Sequence, residues 1–200
     1  QSAIYGSDAI GGVIQYITLD GRDAPGAVAR IEAGSFGMVN GAARIAGYSG
    51  DLDYALSATL NTTDGTPGAR NGTRDLANDS GAVSLKTTFA PSTNARLTGV
   101  LRYARTNAEF NDSDSDPGSP TFGFQVDSPG NRFENEAIYV LIRGELDLLD
   151  DRWTQAFSAQ IADTRRDGFA STGRSYGSEG QRLKGSYDTT LRIEAGGLTH

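Results

Sequence analysis

Residues 52–61 read Leu52-Asp53-Tyr54-Ala55-Leu56-Ser57-Ala58-Thr59-Leu60-Asn61, and their alternation decides the fold. Tyr54, Leu56, Ala58 and Leu60 share one side of an extended chain, while Asp53, Ser57, Thr59 and Asn61 share the other. A period of two marks a strand with one apolar and one polar face. The same alternation returns at Val83, Leu85 and Phe89, at Leu97, Gly99, Leu101 and Tyr103, and at Leu183, Gly185, Tyr187, Leu191 and Ile193. It is less regular near 136–147, where Ile138, Val140, Ile142 and Leu146 line one side, and near 153–163. Small residues give weaker faces near 27–35 and 40–48. Eight strands are predicted.

The connections separate membrane from water. Short ones fall at Ser49-Gly50-Asp51, Pro91-Ser92-Thr93-Asn94 and Leu149-Asp150-Asp151. Long polar ones are predicted near 64–80, 108–134 and 165–180. Loops of that length are uncommon inside a compact soluble domain. Short turns alternating with long loops are the habit of an outer-membrane β-barrel, with the long loops outside. Tyr48, Tyr54, Phe89, Tyr103 and Trp153 lie near strand ends, where interfacial aromatic girdles would sit.

Composition fits this reading. The 200 residues carry a formal net charge of −7 and include no Cys. An acidic chain with scattered Lys and Arg makes a poor nucleic-acid binder, so no nucleic-acid partner is expected. Disulfide frameworks, thiolate zinc sites and Cys nucleophiles are excluded. No run of about 18 apolar residues exists, which excludes a transmembrane helix but not a barrel strand of about 10 residues. The first residues do not read as a signal peptide, so the chain is expected to begin inside a longer protein.

The opening stretch, Tyr5-Gly6-Ser7-Asp8-Ala9-Ile10-Gly11-Gly12-Val13-Ile14, is followed by Gln15, Tyr16 and Ile17. Gly6 and the Gly11-Gly12 pair permit backbone conformations and close approaches that a Cβ would block. A Gly-Gly pair is no phosphate loop, because the glycine spacing and the order of elements are wrong. The stretch as a whole resembles the closing signature of the plug domain in TonB-dependent outer-membrane receptors. Gln15-Tyr16 departs from the commoner Asn-Ile. Gly34-Ser35-Phe36-Gly37, at the tip of the first hairpin, also suits that family.

The resemblance implies an all-β, antiparallel transmembrane barrel of about 22 strands, of which about eight N-terminal strands are present. Residues 1–20 would end the plug, 21–26 would link it to the barrel, and 27–200 would form the barrel's first part. Considered alone, eight such strands are expected as an open, curved sheet with unpaired edges. Tyr5, Gly6, Ser7, Asp8, Ala9, Gly11, Gly12, Val13 and Ile14 would be structural, seating the plug's end against the barrel wall.

The resemblance further implies uptake of a scarce nutrient across the outer membrane of a Gram-negative cell. Its partners would be TonB, reached through a region outside this sequence, outer-membrane lipid and the nutrient. Cobalamin and ferric siderophores are the expected cargo. Pro117-Gly118-Ser119-Pro120 is similar to a loop of the vitamin B12 transporters, and aspartates in that family's external loops bind calcium. Here Asp75, Asp79 and the alternating Asp112, Asp114 and Asp116 occupy long loops. Alternating carboxylates can aim several oxygens at one hard cation. The EF-hand pattern fails, however, because Gly123 stands where its Glu would be, so a solvated acidic loop is the plainer reading. No cofactor is required, and calcium, if bound, would use Asp79, Asp112, Asp114 and Asp116.

No catalytic residues are expected. The single His is His200, and no carboxylate pair sits in an acid–base context. Arg165-Arg166-Asp167 reads as loop. Arg96, Arg102, Lys184 and Arg192 fall on the polar sides of their strands and would face a hydrated lumen. A soluble or surface β-domain binding glycan or protein is the competing class. It would pack the apolar faces into a closed core instead of an outward band.

Overall fold

A computed structural model describes residues 20–193. Those residues are all-β, with no helix among them. Ten strands form: β1 (Gly26–Ala33), β2 (Val39–Ser49), β3 (Leu52–Thr63), β4 (Asn78–Ser92), β5 (Ala95–Glu109), β6 (Asp112–Ser113), β7 (Gln125–Val126), β8 (Arg132–Leu148), β9 (Trp153–Ala170) and β10 (Gly173–Leu191). Eight make one antiparallel sheet in the order β1-β2-β3-β4-β5-β8-β9-β10, with β1 and β10 at its edges. β6 and β7 form a separate small hairpin inside the longest loop.

The eight predicted strands are all present, and the turns at 50–51, 93–94 and 149–152 close one end of the sheet. Gly50 takes a φ of 57°, which a tight two-residue hairpin turn demands. Leu149, Asp150 and Asp151 all adopt the same left-handed region.

Two expectations require correction. The third long loop, predicted at 165–180, is instead the upper part of β9 and β10, joined through Ser171-Thr172. Polar residues on both faces erased the alternation there, yet the backbone stays paired from Trp153↔Leu191 up to Ala170↔Gly173. Tyr48 belongs to no outward girdle: it pairs with Asp53 on the polar face, opposite to Tyr54.

Register fixes which side chains share a face, because directly paired residues point the same way. One row crosses the whole sheet: Ala27, Ile45, Leu56, Leu85, Leu101, Val140, Ile161 and Leu183. The neighbouring row on the other face reads Val28, Arg44, Ser57, Ser84, Arg102, Tyr139, Ala162 and Arg182. No large side chain is fully buried among the described residues, and Ile45, Leu56, Leu101, Ile161 and Leu183 are exposed. The apolar face therefore covers no core of this sheet. Burial concentrates on the polar face, at Ala46, Asp53, Thr88, Ala108 and Ala156.

Candidate functional site: the outer loops and the polar face

The end of the sheet opposite the tight turns carries the long connections 64–77 and 110–131. Sequence distance hides how they are joined. Arg74, from the first loop, donates from Nη1 to the carbonyl of Phe110 at 2.9 Å and to Asn111 Oδ1 at 3.0 Å. Its Nη2 donates to the carbonyl of Asn131 at 3.1 Å and pairs with Glu109 at 3.3 Å. The Arg74 side chain is only 14% exposed, so these contacts are shielded from water. The planar guanidinium suits the task, since it presents several fixed donors at once. Asp127 answers from the second loop, accepting from the backbone N–H groups of Thr73 at 2.8 Å and Arg74 at 3.2 Å. The two loops thus form one body.

Within the second loop Asp114 and Asp116 act on nearby backbone, while Asp112 reaches the loop's far end. Asp114 accepts from the N–H of Asp116 at 2.9 Å and from the Thr121 hydroxyl at 2.6 Å. Hydroxyl hydrogen bonds from Ser119 and Thr121, and then the Asp116 N–H, hold its carboxyl below the usual aspartate range. Asp116 accepts from the N–H of Gly118 at 2.9 Å, and Asp112 accepts from the side-chain amide of Asn131. The bonds from the Asp116 and Gly118 N–H groups are the local side-chain-to-backbone bonds that Asp makes readily in turns. Asp79, expected in the loop after β3, lies in β4, because Asn78–Gly81 already pair with both neighbouring strands. Its carboxylate accepts from the Thr62 hydroxyl. Asp75 bridges Pro67 across the base of the first loop. Among the described residues, no three His, Cys, Asp or Glu side chains are gathered closely enough to hold a metal ion.

The hairpin so braced presents Phe122 and Phe124 to solvent at 54% and 48% exposure, with the Arg70 guanidinium 5.2 Å from the Phe124 ring centre. Rigid, exposed aromatic surface beside hydrogen-bonding loop edges can hold a ligand by apolar contact. Sequence reading found the loop and its aspartates. It did not find Arg74, Asn111, Asp127 or Asn131, whose contacts span 36 to 57 residues and leave no local pattern.

At the opposite end, the segment before β1 lies on the polar face. Asp20 pairs with Lys86 at 2.7 Å and accepts from the Thr88 hydroxyl at 3.2 Å. Arg22 pairs with Asp53 at 2.6 Å, donates to the carbonyl of Gly50 and lies 4.7 Å from the Tyr48 ring centre. Tyr48, Asp53, Lys86 and Thr88 all belong to polar-face rows. The motif Tyr5–Ile14 lies outside the described residues. Comparison with protein-family models, with curated proteins and with solved structures finds no match.

Proposed function

We propose that this chain is the first part of the barrel of a TonB-dependent outer-membrane transporter, preceded by the end of its plug. The observation that carries the proposal is the apolar row crossing all eight strands, together with how its band shifts. The band's outer limit runs from Ala33 and Val39 through Leu60 to Val83, Tyr103 and Ile138, and then to Ile161 and Leu183. Measured against the row that contains Ala33, it slips by six residues, Gly177 to Leu183, over the seven steps between neighbouring strands. One residue per step is about 3.4 Å along a strand for about 4.8 Å across, a slant of roughly 30–35°. A horizontal apolar band therefore requires strands tilted by that amount, close to the roughly 35–45° of membrane barrels.

The band's height agrees as well. Leu52 to Leu60 in β3 and Ile138 to Leu148 in β8, corrected for that slant, span about 22 to 28 Å, against about 25 Å for a lipid-facing belt. Phe89 and Trp153 stand at its tight-turn edge and Tyr54 next to it, as an interfacial girdle would. The segment 20–23 lies on the polar face, the side from which a lumenal plug would hand over the chain.

In this reading the braced outer loops capture cobalamin or a ferric siderophore, and TonB, working from the periplasm, opens the path. The test uses the full-length protein in a Gram-negative host. It should fractionate with outer membranes, require detergent for extraction, and import labelled cobalamin or ferric siderophore only in cells that possess TonB. Full recovery in the soluble fraction, or equal uptake without TonB, would overturn the proposal.

A further inference from the structure

Residues 20–23 do more than connect, because three independent contacts seat them on the polar face before the chain enters β1. Gly21 is buried, and a Cβ there would lie 2.0 Å from the carbonyl oxygen of Gly47 and within 3 Å of the Tyr54 backbone. The fit is against backbone, which cannot move aside as a flexible side chain can. Flanking it, Asp20 is held by Lys86 and Thr88, and Arg22 by Asp53, Gly50 and the face of Tyr48. The Asp53 and Lys86 side chains are 12% and 16% exposed, so both ion pairs are partly shielded from solvent. A turn internal to the segment completes the seat: the Asp20 N–H donates to Asp23 Oδ2 at 2.9 Å and the Asp23 N–H to the Asp20 carbonyl at 3.2 Å.

These contacts reach β2, β3 and β4, or the turn between β2 and β3, and none of them uses β1. β1 itself is short, eight residues, and lies at the sheet edge. We infer that residues 20–23 are a mechanical clamp, which passes a pull on the preceding chain into β2–β4 and keeps it from peeling β1. The inference rests on the reading that residues 1–20 end a plug that TonB pulls. The clamp defines where extraction of that plug stops.

Single-molecule force spectroscopy on the full-length protein in a lipid bilayer, pulled from its N-terminus, tests this directly. The wild type should give a force peak when the extended chain reaches Asp20. Arg22→Ala/Lys86→Ala should lose that peak, and the next resistance should arise at Gly26, six residues or about 20 Å later. Gly21→Leu should lose it too, by collision with Gly47 and Tyr54 while both ion-pairing residues remain. Arg30→Ala, which removes an exposed ion pair within β1, should leave it in place. Unchanged later peaks from the β-hairpins identify molecules whose sheet is folded. No wild-type resistance before Gly26, or a peak that persists in both clamp variants, would overturn the inference. The pull needs no TonB, so failure here is separate from failure of TonB-dependent uptake.

Discussion

Replacing Leu56 by Arg distinguishes a lipid-facing sheet from a water-facing one. Leu56 sits in the continuous apolar row between Ile45 and Leu85, midway along the band on β3. It is 39% exposed within the sheet. Were that face in water, the substitution would forfeit only part of the roughly 1.5–3 kcal/mol that full burial of a Leu contributes. The Arg stem would recover some of that by lying along its neighbours. The cost would then stay below about 1 kcal/mol. At the middle of a bilayer, the same change costs about 2–4 kcal/mol. That is roughly a 30- to 700-fold shift in the folding equilibrium.

Val83→Arg, at the band's outer limit on β4, should cost no more than about 1 kcal/mol, because headgroups and water are within reach. Thr59→Arg, on the polar face of β3, should stay within about 0.5 kcal/mol. The assay is reversible urea unfolding of the full-length protein from lipid vesicles, with the three variants compared at a common slope. Equal costs for Leu56→Arg and Thr59→Arg would refute the argument, and so would a larger cost at Val83 than at Leu56.

Further outcomes follow from the loops and turns. Arg74→Ala removes a shielded guanidinium and strands the acceptors it serves, so the joined loops should lose about 2–3 kcal/mol of local stability. Limited proteolysis should then cut 64–77 and 110–131 roughly 30- to 150-fold faster, at unchanged membrane yield. Asp114 has its carboxyl lowered on folding, so its contribution is fully present above the unfolded value of about 3.9 and is lost as pH falls through the lower folded value. Hydrogen exchange of the 112–126 hairpin, corrected for intrinsic pH dependence, should be flat from pH 7 to about 5 and rise only in strong acid, whereas Asp114→Ala should raise it at every pH. Gly173→Ala places a Cβ at a φ of +118° in the tight β9–β10 turn and should cost at least about 1 kcal/mol, read as a lower urea midpoint.

How much was legible tracks how local each signal is. Leu56, Leu85 and Leu101 announced themselves because a period of two survives wherever one face is apolar, and the register then aligned all three in one row. The turns at 50–51 and 93–94 were legible for a related reason: they must lie between two such runs. The stretch 165–180 was read as loop because Arg165, Asp167, Arg174 and Glu179 place charge where an apolar face would otherwise show. Arg74 was invisible for the opposite reason. It is a lone basic residue in a polar loop, and its role depends on residues 35 to 57 positions away meeting it in space.

The misread stretch also explains how the sheet continues past its apolar band. Arg105, Glu136, Arg165 and Glu179 stand directly opposite one another on β5, β8, β9 and β10, alternating in sign. Arg105 reaches Glu134, Arg165 reaches Asp167 and Glu179, and Arg174 also reaches Asp167. Exposed pairs of this kind contribute little singly, about 0–1 kcal/mol each. Like charges opposed in the same places would work against pairing, so alternation is what lets the ladder continue. On the membrane reading proposed above, the strands extend on two different terms: apolar contact within the band, where charge would be costly, and cross-strand charge alternation above it, where water would admit it. Since the band slips by about one residue per strand, that change arrives progressively earlier, at Tyr103 to Arg105 on β5 and at Ile161 to Asp163 on β9. A level boundary crossing tilted strands produces that slip, whereas a flat sheet in water has no reason to keep it.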